Sequence, residues 1–121
     1  MLSLLRASAG HPLRPALAVL FAVFLASACQ AAEPSAPVAT NQVDLPRSYK
    51  FAPEDIVVPA GTTVTWTNND FVDHTTTSDG TGWNSGVVAP GGKFSVTFRS
   101  AGSFPYHCTI HPGMVGTVVV R

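Results

Sequence analysis

Hydrophobic and polar positions alternate with a period of two along much of the second half of this 121-residue chain. In Thr62–Asn68, Val64 and Trp66 fall on one face and threonines fall on the other. Lys93–Arg99 alternates in the same way, with two phenylalanines and Val96 on one side. Such alternation is typical of β-strands that bury one face, whereas no stretch of this region shows a helical period.

Shorter segments complete the predicted set of strands, and glycine- or proline-containing turns separate several of them. These segments are Ser48–Phe51, Asp55–Val58, Phe104–Cys108 and Val115–Val120. The spacing of strands and turns predicts an all-β fold, a small antiparallel Greek-key β-sandwich or barrel. We find no internal repeat.

The first 28 residues predict an export signal that is not part of this fold. Two arginines precede an uncharged apolar run, Ala16–Ala28, which is too short to span a membrane. Because Cys29 follows a small-residue cleavage sequence, we expect a lipoprotein in which Cys29 is the lipidated first residue. Ordinary cleavage after Ala28 or near Ala32 is the alternative.

The chain therefore divides into three predicted segments. Residues 1–28 are the signal peptide, 29–45 a flexible linker rich in Ala, Pro and Ser, and 46–121 the folded domain. We expect the mature protein in the periplasm, associated with a membrane only through a lipid anchor at Cys29.

Charge argues against one class of binding partner, and the cysteine content argues against a disulfide. Loss of the signal removes Arg6 and Arg14 and leaves five basic residues against seven acidic ones. No basic stretch could follow a phosphate backbone, so we do not expect nucleic acid as a partner. Export permits disulfides, but Cys29 lies at the export junction, so we expect Cys108 to be unpaired.

A C-x2-H-x2-M cluster, Cys108, His111 and Met114, lies directly before the last predicted strand. Strand parity places the Cys108 sulfur between the sheets together with Tyr106, and turns His107 outward. A tight chain reversal after Cys108 can bring His111 and Met114 back toward that sulfur. The cluster thus predicts three ligands on one short loop.

His74 supplies a second imidazole from a separate loop. One thiolate, two imidazoles and one weak thioether are the ligand set of a blue-copper electron-transfer centre. Zinc is the alternative metal, since it also binds cysteine and histidine, although a thioether is a poor zinc ligand. A buried structural thiol is the alternative role for Cys108.

These residues resemble the cupredoxin family, the plastocyanin- and azurin-like type 1 copper proteins. The loop from Cys108 to Met114 is similar in length to the loops of amicyanin and pseudoazurin. Residues 51–68, 83–91 and 104–108 are similar to the family's early strands, mid-domain segment and cysteine strand. The resemblance covers roughly residues 48–121.

The resemblance implies one copper ion that cycles between Cu(I) and Cu(II). His74, Cys108 and His111 would form a trigonal set with Met114 as a long axial ligand. Many members carry asparagine after the first histidine, where it ties the ligand loops together. Here that residue is Thr75, whose hydroxyl could make a related bond.

The implied function is that of a one-electron carrier, not an enzyme, which meets redox partner proteins transiently as a monomer. We expect electrons to pass through His111. The expected apolar contact patch consists of Pro112, Gly113, Met114, Phe71 and Val88. A periplasmic copper chaperone or resistance protein is the alternative function, although the only methionines are Met1 and Met114.

Overall fold

Eight β-strands form two sheets in the computed structural model, which describes residues 33–121 and Gly10. The strands are β1 (Val38–Ala39), β2 (Gln42–Leu45), β3 (Asp55–Val58), β4 (Thr62–Asn68), β5 (Thr77–Ser78), β6 (Lys93–Phe98), β7 (Gly102–His107) and β8 (Val115–Val120). The described residues contain no helix, and hence none that could cross a membrane. The all-β prediction is confirmed, whereas Cys29 and the predicted signal peptide at 1–28, apart from Gly10, lie outside the described residues.

The pairing of the strands is mixed, not antiparallel throughout as expected. One sheet has the order β1-β3-β8-β7-β5 and the other β2-β4-β6. The pairs β1/β3, β3/β8 and β2/β4 are parallel, and the other three are antiparallel. Successive strands lie in different sheets from β1 through β7, so most paired strands are not joined by a hairpin and are free to run parallel.

The folded part begins before the predicted boundary at residue 46. Within the segment predicted as linker, β2 pairs with β4, placing Val43 beside Trp66 and Leu45 beside Asn68. Val43 and Leu45 are buried in the core. The hydrophobic–polar alternation of β2 covers only four residues and directly follows an Ala- and Pro-rich sequence, so it was too short to predict a strand.

Ser48–Phe51, predicted as a strand, is a turn and bend instead. Tyr49 has a φ of 54°, a left-handed conformation that interrupts any extended pairing. Phe51 is nevertheless buried, as the alternation suggested. Four residues are too few to separate a strand from a turn with one inward side chain.

The aromatic core fixes the strand that leads into Cys108. The Tyr106 ring lies between Phe51 and Trp66, at centroid distances of 4.6 and 5.4 Å. Opposite it in β8, a Cβ on Gly116 would lie 2.7 Å from the Tyr106 ring and 2.5 Å from a backbone oxygen. Only glycine fits there, and the close contact holds β7 in place two residues before Cys108.

Candidate metal centre

Three donor atoms from two loops converge at one end of the sandwich. His74 Nδ1 lies 3.1 Å from His111 Nδ1, and Cys108 Sγ lies 3.9 Å from the former and 3.6 Å from the latter. Donors that share one ion, with metal–ligand bonds of about 2.0–2.3 Å, must lie within about 4.6 Å of each other. The three atoms therefore fit a single metal ion.

The loop from Cys108 to Met114 is closed by its own backbone. The Cys108 N–H donates to the Met114 carbonyl at 2.9 Å, and the Met114 N–H donates to the His111 carbonyl at 3.3 Å. Gly113 permits the turn with a φ of 83°. The Met114 side chain is buried in the same core cluster as Cys108, as a fourth ligand from this loop requires.

The backbone of His74 is held by a short antiparallel bridge to Val88. The His74 N–H donates to the Val88 carbonyl at 3.2 Å, and the Val88 N–H returns a bond of 2.8 Å. The His74 side chain is fully buried, while His111 is only partly buried. The two imidazoles thus differ in their access to solvent.

The far nitrogen of His74 contacts a buried carboxylate. His74 Nε2 lies 3.0 Å from Asp70 Oδ2. An Nε2–H that donates to this carboxylate leaves the Nδ1 lone pair free for a metal and orients the ring. The hydrogen bond from His74 lowers the pKa of Asp70 and keeps it ionised. Sequence reasoning missed Asp70, because a spacing of four residues within a loop carries no signal.

Asn68 organises the segment that carries Asp70 and His74. Its Nδ2 donates to the carbonyls of Val72 and Val88, both at 2.8 Å, and its Oδ1 accepts the Asp70 N–H at 2.9 Å. The side chain is fully buried. Sequence reasoning missed this role also, since an asparagine at the end of a strand ordinarily indicates that a turn follows.

Backbone donors surround the sulfur of Cys108, a free thiol. The Thr75 N–H donates to Sγ at 3.3 Å. Burial raises the pKa of the thiol, but hydrogen bonds from the Thr75, Ile110 and His111 backbones and the His74 ring outweigh it and lower the pKa from 9.0 to about 6. The thiolate, the form that binds metals, is therefore favoured at neutral pH.

Thr75 makes the bond between the two loops that the sequence suggested. Its Oγ1 accepts the Thr109 N–H at 2.8 Å and lies 3.0 Å from the Thr109 hydroxyl. The loop carrying His74 is thereby joined directly to the loop carrying Cys108.

His107 faces away from the metal centre, as strand parity predicted. It is partly exposed and its Nδ1 lies 2.5 Å from Asp79 Oδ1. The predicted contact patch needs a correction, because Met114 and Val88 are 1% and 5% exposed and belong to the interior. The side chains of Met114 and Val88 point into the protein. The position of a residue in a loop does not by itself indicate in which direction its side chain points.

A match to known proteins decides the family. A family model described as a cupredoxin-like domain matches residues 16–120. The chain belongs to the cupredoxin family.

Cupredoxins of several organisms are similar to it. Amicyanin-alpha of Methylorubrum extorquens is 34% identical over 116 residues, spanning 88% of this chain and 97% of that protein. Chloroplastic plastocyanin of Tetradesmus obliquus is 34% identical over 84 residues, spanning 59% of this chain and 58% of that protein. A purple cupredoxin from Nitrosopumilus maritimus has a structure that matches with a TM-score of 0.62 and 34% identity, over 66% of this chain and 98% of that one.

Copper is the metal that this cupredoxin's donors fit. A soft thiolate beside two imidazoles, with a buried methionine on the same loop, is the donor set of type 1 copper. Family membership and the convergence of the donors confirm the predicted cofactor.

Proposed function

We propose that this cupredoxin is an extracytoplasmic one-electron carrier whose copper is bound by His74, Cys108, His111 and Met114. Bound there, copper would supply a one-electron Cu(I)/Cu(II) couple. The observation that carries the proposal is the convergence of three donor atoms within 4.8 Å of one another.

The protein holds these donors by bonds that do not depend on the metal. Asp70 orients the His74 ring, the Thr75 N–H fixes the Cys108 sulfur, and Cys108 and Met114 close their loop through the backbone. Donors held in this way move little when the charge at the site changes. A small rearrangement on each transfer suits an electron carrier.

The route for electrons is through His111. His74 and Cys108 are 0% and 4% exposed, whereas His111 is partly exposed. A redox partner would therefore approach the His111 side of the site, in the small and transient contact that redox encounters usually make. Within residues 33–121, no second group of metal-binding side chains is found that an enzyme could use.

The decisive experiment is the optical spectrum of the copper-loaded protein. We expect an intense blue colour in the oxidised form, and Cys108→Ser should abolish it. Cys29→Ser, which changes the other cysteine of the chain, is the matched control and should keep the colour. A colourless Cu(II) complex of the intact protein would overturn the type 1 assignment.

Two further measurements test the rest of the proposal. Mass spectrometry of the mature N-terminus should show a lipidated Cys29, and an unmodified or absent Cys29 would rule out the anchor. The copper dissociation rate, measured beside the electron self-exchange rate, separates an electron carrier from a copper-delivery protein. Rapid copper loss together with slow self-exchange would favour delivery.

A further inference from the structure

An aromatic side chain packs against His111, the partly exposed histidine of the site. The Tyr49 ring lies 4.8 Å from the His111 ring, centroid to centroid, with 55° between the planes. It also lies 6.2 Å from the His74 ring. Among the residues that the structure describes, these two imidazoles are the only rings that Tyr49 contacts, although half of its own surface is exposed.

The backbone of Tyr49 is held in an unfavourable conformation. Its φ of 54° makes it the single non-glycine residue with positive φ in the described part of the chain. The turn is anchored by the Ser48 N–H, which donates to the Pro46 carbonyl at 2.7 Å, and by the buried Phe51. A strained residue at a functional site persists only where its surroundings fix it. Here the strain places the aromatic ring against a metal-facing histidine.

We propose that Tyr49 is a positioning residue for His111, an inference that rests on the proposed copper site. Its ring limits rotation of the imidazole, so that Nδ1 stays directed toward Cys108 Sγ and His74 Nδ1. The loop backbone holds the main chain of His111, since the Met114 N–H donates to its carbonyl at 3.3 Å. The His111 ring itself packs against two rings, the other ligand His74 at 4.6 Å and Tyr49 at 4.8 Å, and only Tyr49 is not itself a ligand. Aromatic pairs of this kind contribute measurably beyond simple burial.

The hydroxyl of Tyr49 is not needed for this role. No hydrogen bond from it is found to any residue in 33–121. The aromatic ring, the hydroxyl and the backbone conformation of Tyr49 can therefore be tested separately by substitution. Phenylalanine removes only the hydroxyl, leucine removes the aromatic ring, and glycine removes the ring while relieving the left-handed strain.

The test compares Tyr49→Phe, Tyr49→Leu and Tyr49→Gly with Phe71→Leu in the full chain. Phe71 is the matched control, because it is an exposed aromatic residue near the site that contacts Arg47, at 3.6 Å, and neither histidine ring. The first readout is NMR of ¹⁵N-labelled histidine in the metal-free protein, which reports motion of the His111 ring. The second is the rate at which a Cu(I) chelator removes copper from the reduced protein.

We expect Tyr49→Leu and Tyr49→Gly to mobilise the His111 ring and to accelerate copper removal by about fivefold, the size of effect that one aromatic contact produces. Tyr49→Phe and Phe71→Leu should change the rate less than about twofold. If the His111 ring became mobile in Tyr49→Leu but stayed restrained in Tyr49→Gly, the strained backbone of residue 49, and not its aromatic ring, would be responsible. That result would overturn the proposal. Equal effects of the Tyr49 and Phe71 variants would also overturn it. The NMR readout needs no copper, so failure of the copper site itself would be seen separately, in the spectrum of the wild-type protein.

Discussion

The two arms of the metal centre are built in different ways. The loop from Cys108 to Met114 supplies most of the donors from seven consecutive residues and closes through its own backbone. The segment 68–76 supplies His74 alone and depends on side-chain hydrogen bonds from its own residues and from distant ones. The first arm is local, and the second is assembled by the fold.

Buried polar residues are found in the segment that carries His74 and not in the loop from Cys108 to Met114. In the described part of the chain, all the buried polar and charged side chains lie between residues 68 and 76: Asn68, Asp70, His74, Thr75 and Thr76. A buried polar network stabilises only when its members are satisfied, and an unpaired member is costly. Single substitutions should therefore damage this arm more than they damage the cysteine loop.

The largest effect on folding is expected from Asn68→Ala. The substitution leaves the carbonyl of Val72 and the N–H of Asp70 without their partner, and it removes one of the two donors to the Val88 carbonyl, which keeps the His74 N–H. We expect the free energy of unfolding of the metal-free protein to fall by about 3 kcal/mol, measured by urea denaturation.

The matched control is Asn84→Ala, whose side chain makes one exposed hydrogen bond, to the Gly86 N–H at 2.9 Å. That variant should lose about 0.5 kcal/mol. If Asn68→Ala lost no more than Asn84→Ala, the view of 68–76 as a cooperative polar arm would be wrong.

Asp70→Ala should act on copper binding more than on folding. Without the carboxylate, His74 Nε2 loses its 3.0 Å contact and the ring is no longer oriented by it. We expect copper affinity to fall about 10- to 100-fold, measured by competition with a chelator. Asp73→Ala, an exposed carboxylate in the same loop, is the control and should bind copper like the wild type. Equal affinities of the two variants would contradict an orienting role for Asp70.

The same contrast explains what the sequence could predict. Alternation located β3, β4, β6, β7 and β8, because each buries one face along several residues. Spacing and parity likewise predicted the inward Cys108, the outward His107 and the short loop to Met114. These features are local, so their physical causes lie within a few residues of one another.

The features that were missed depend on distant partners. The contact of Tyr49 with His111 joins residues far apart in the chain, and β2 became visible only through its pairing with β4. Asp70 lies close to His74 in sequence, but its contact requires the loop shape that Asn68 imposes through Val88. No periodicity records such contacts.

Thr75→Val tests the bond that joins the two arms. Valine keeps the size of threonine but removes the oxygen that accepts the Thr109 N–H at 2.8 Å. We expect a loss of about 1 kcal/mol in unfolding free energy, measured by thermal or urea denaturation. Thr75→Ser retains the hydroxyl and should recover most of the stability. If valine and serine behaved alike, the hydroxyl would not be what couples the loops.

A pH-dependent effect concerns the charge of Cys108 in the metal-free protein. Its pKa is lowered from 9.0 to about 6, so thiolate absorbance in the ultraviolet should appear with a midpoint near pH 6. Because the folded pKa lies below the unfolded one, the contribution to stability is complete only above about pH 9 and is lost as the pH falls through about 6. Unfolding free energy should therefore rise between these values, and Cys108→Ser should remove that part of the rise.

The titration of the Cys108 thiol also tests whether the segment 68–76 acts on the cysteine loop. The Thr75 N–H, the first of the donors that lower the pKa of Cys108, belongs to the polar arm and not to the cysteine loop. If the polar arm holds that donor in place, Asn68→Ala should move the thiolate midpoint upward toward the ordinary value of 9.0. A midpoint that stayed near 6 in this variant would mean that the cysteine loop stabilises its own thiolate without the other arm.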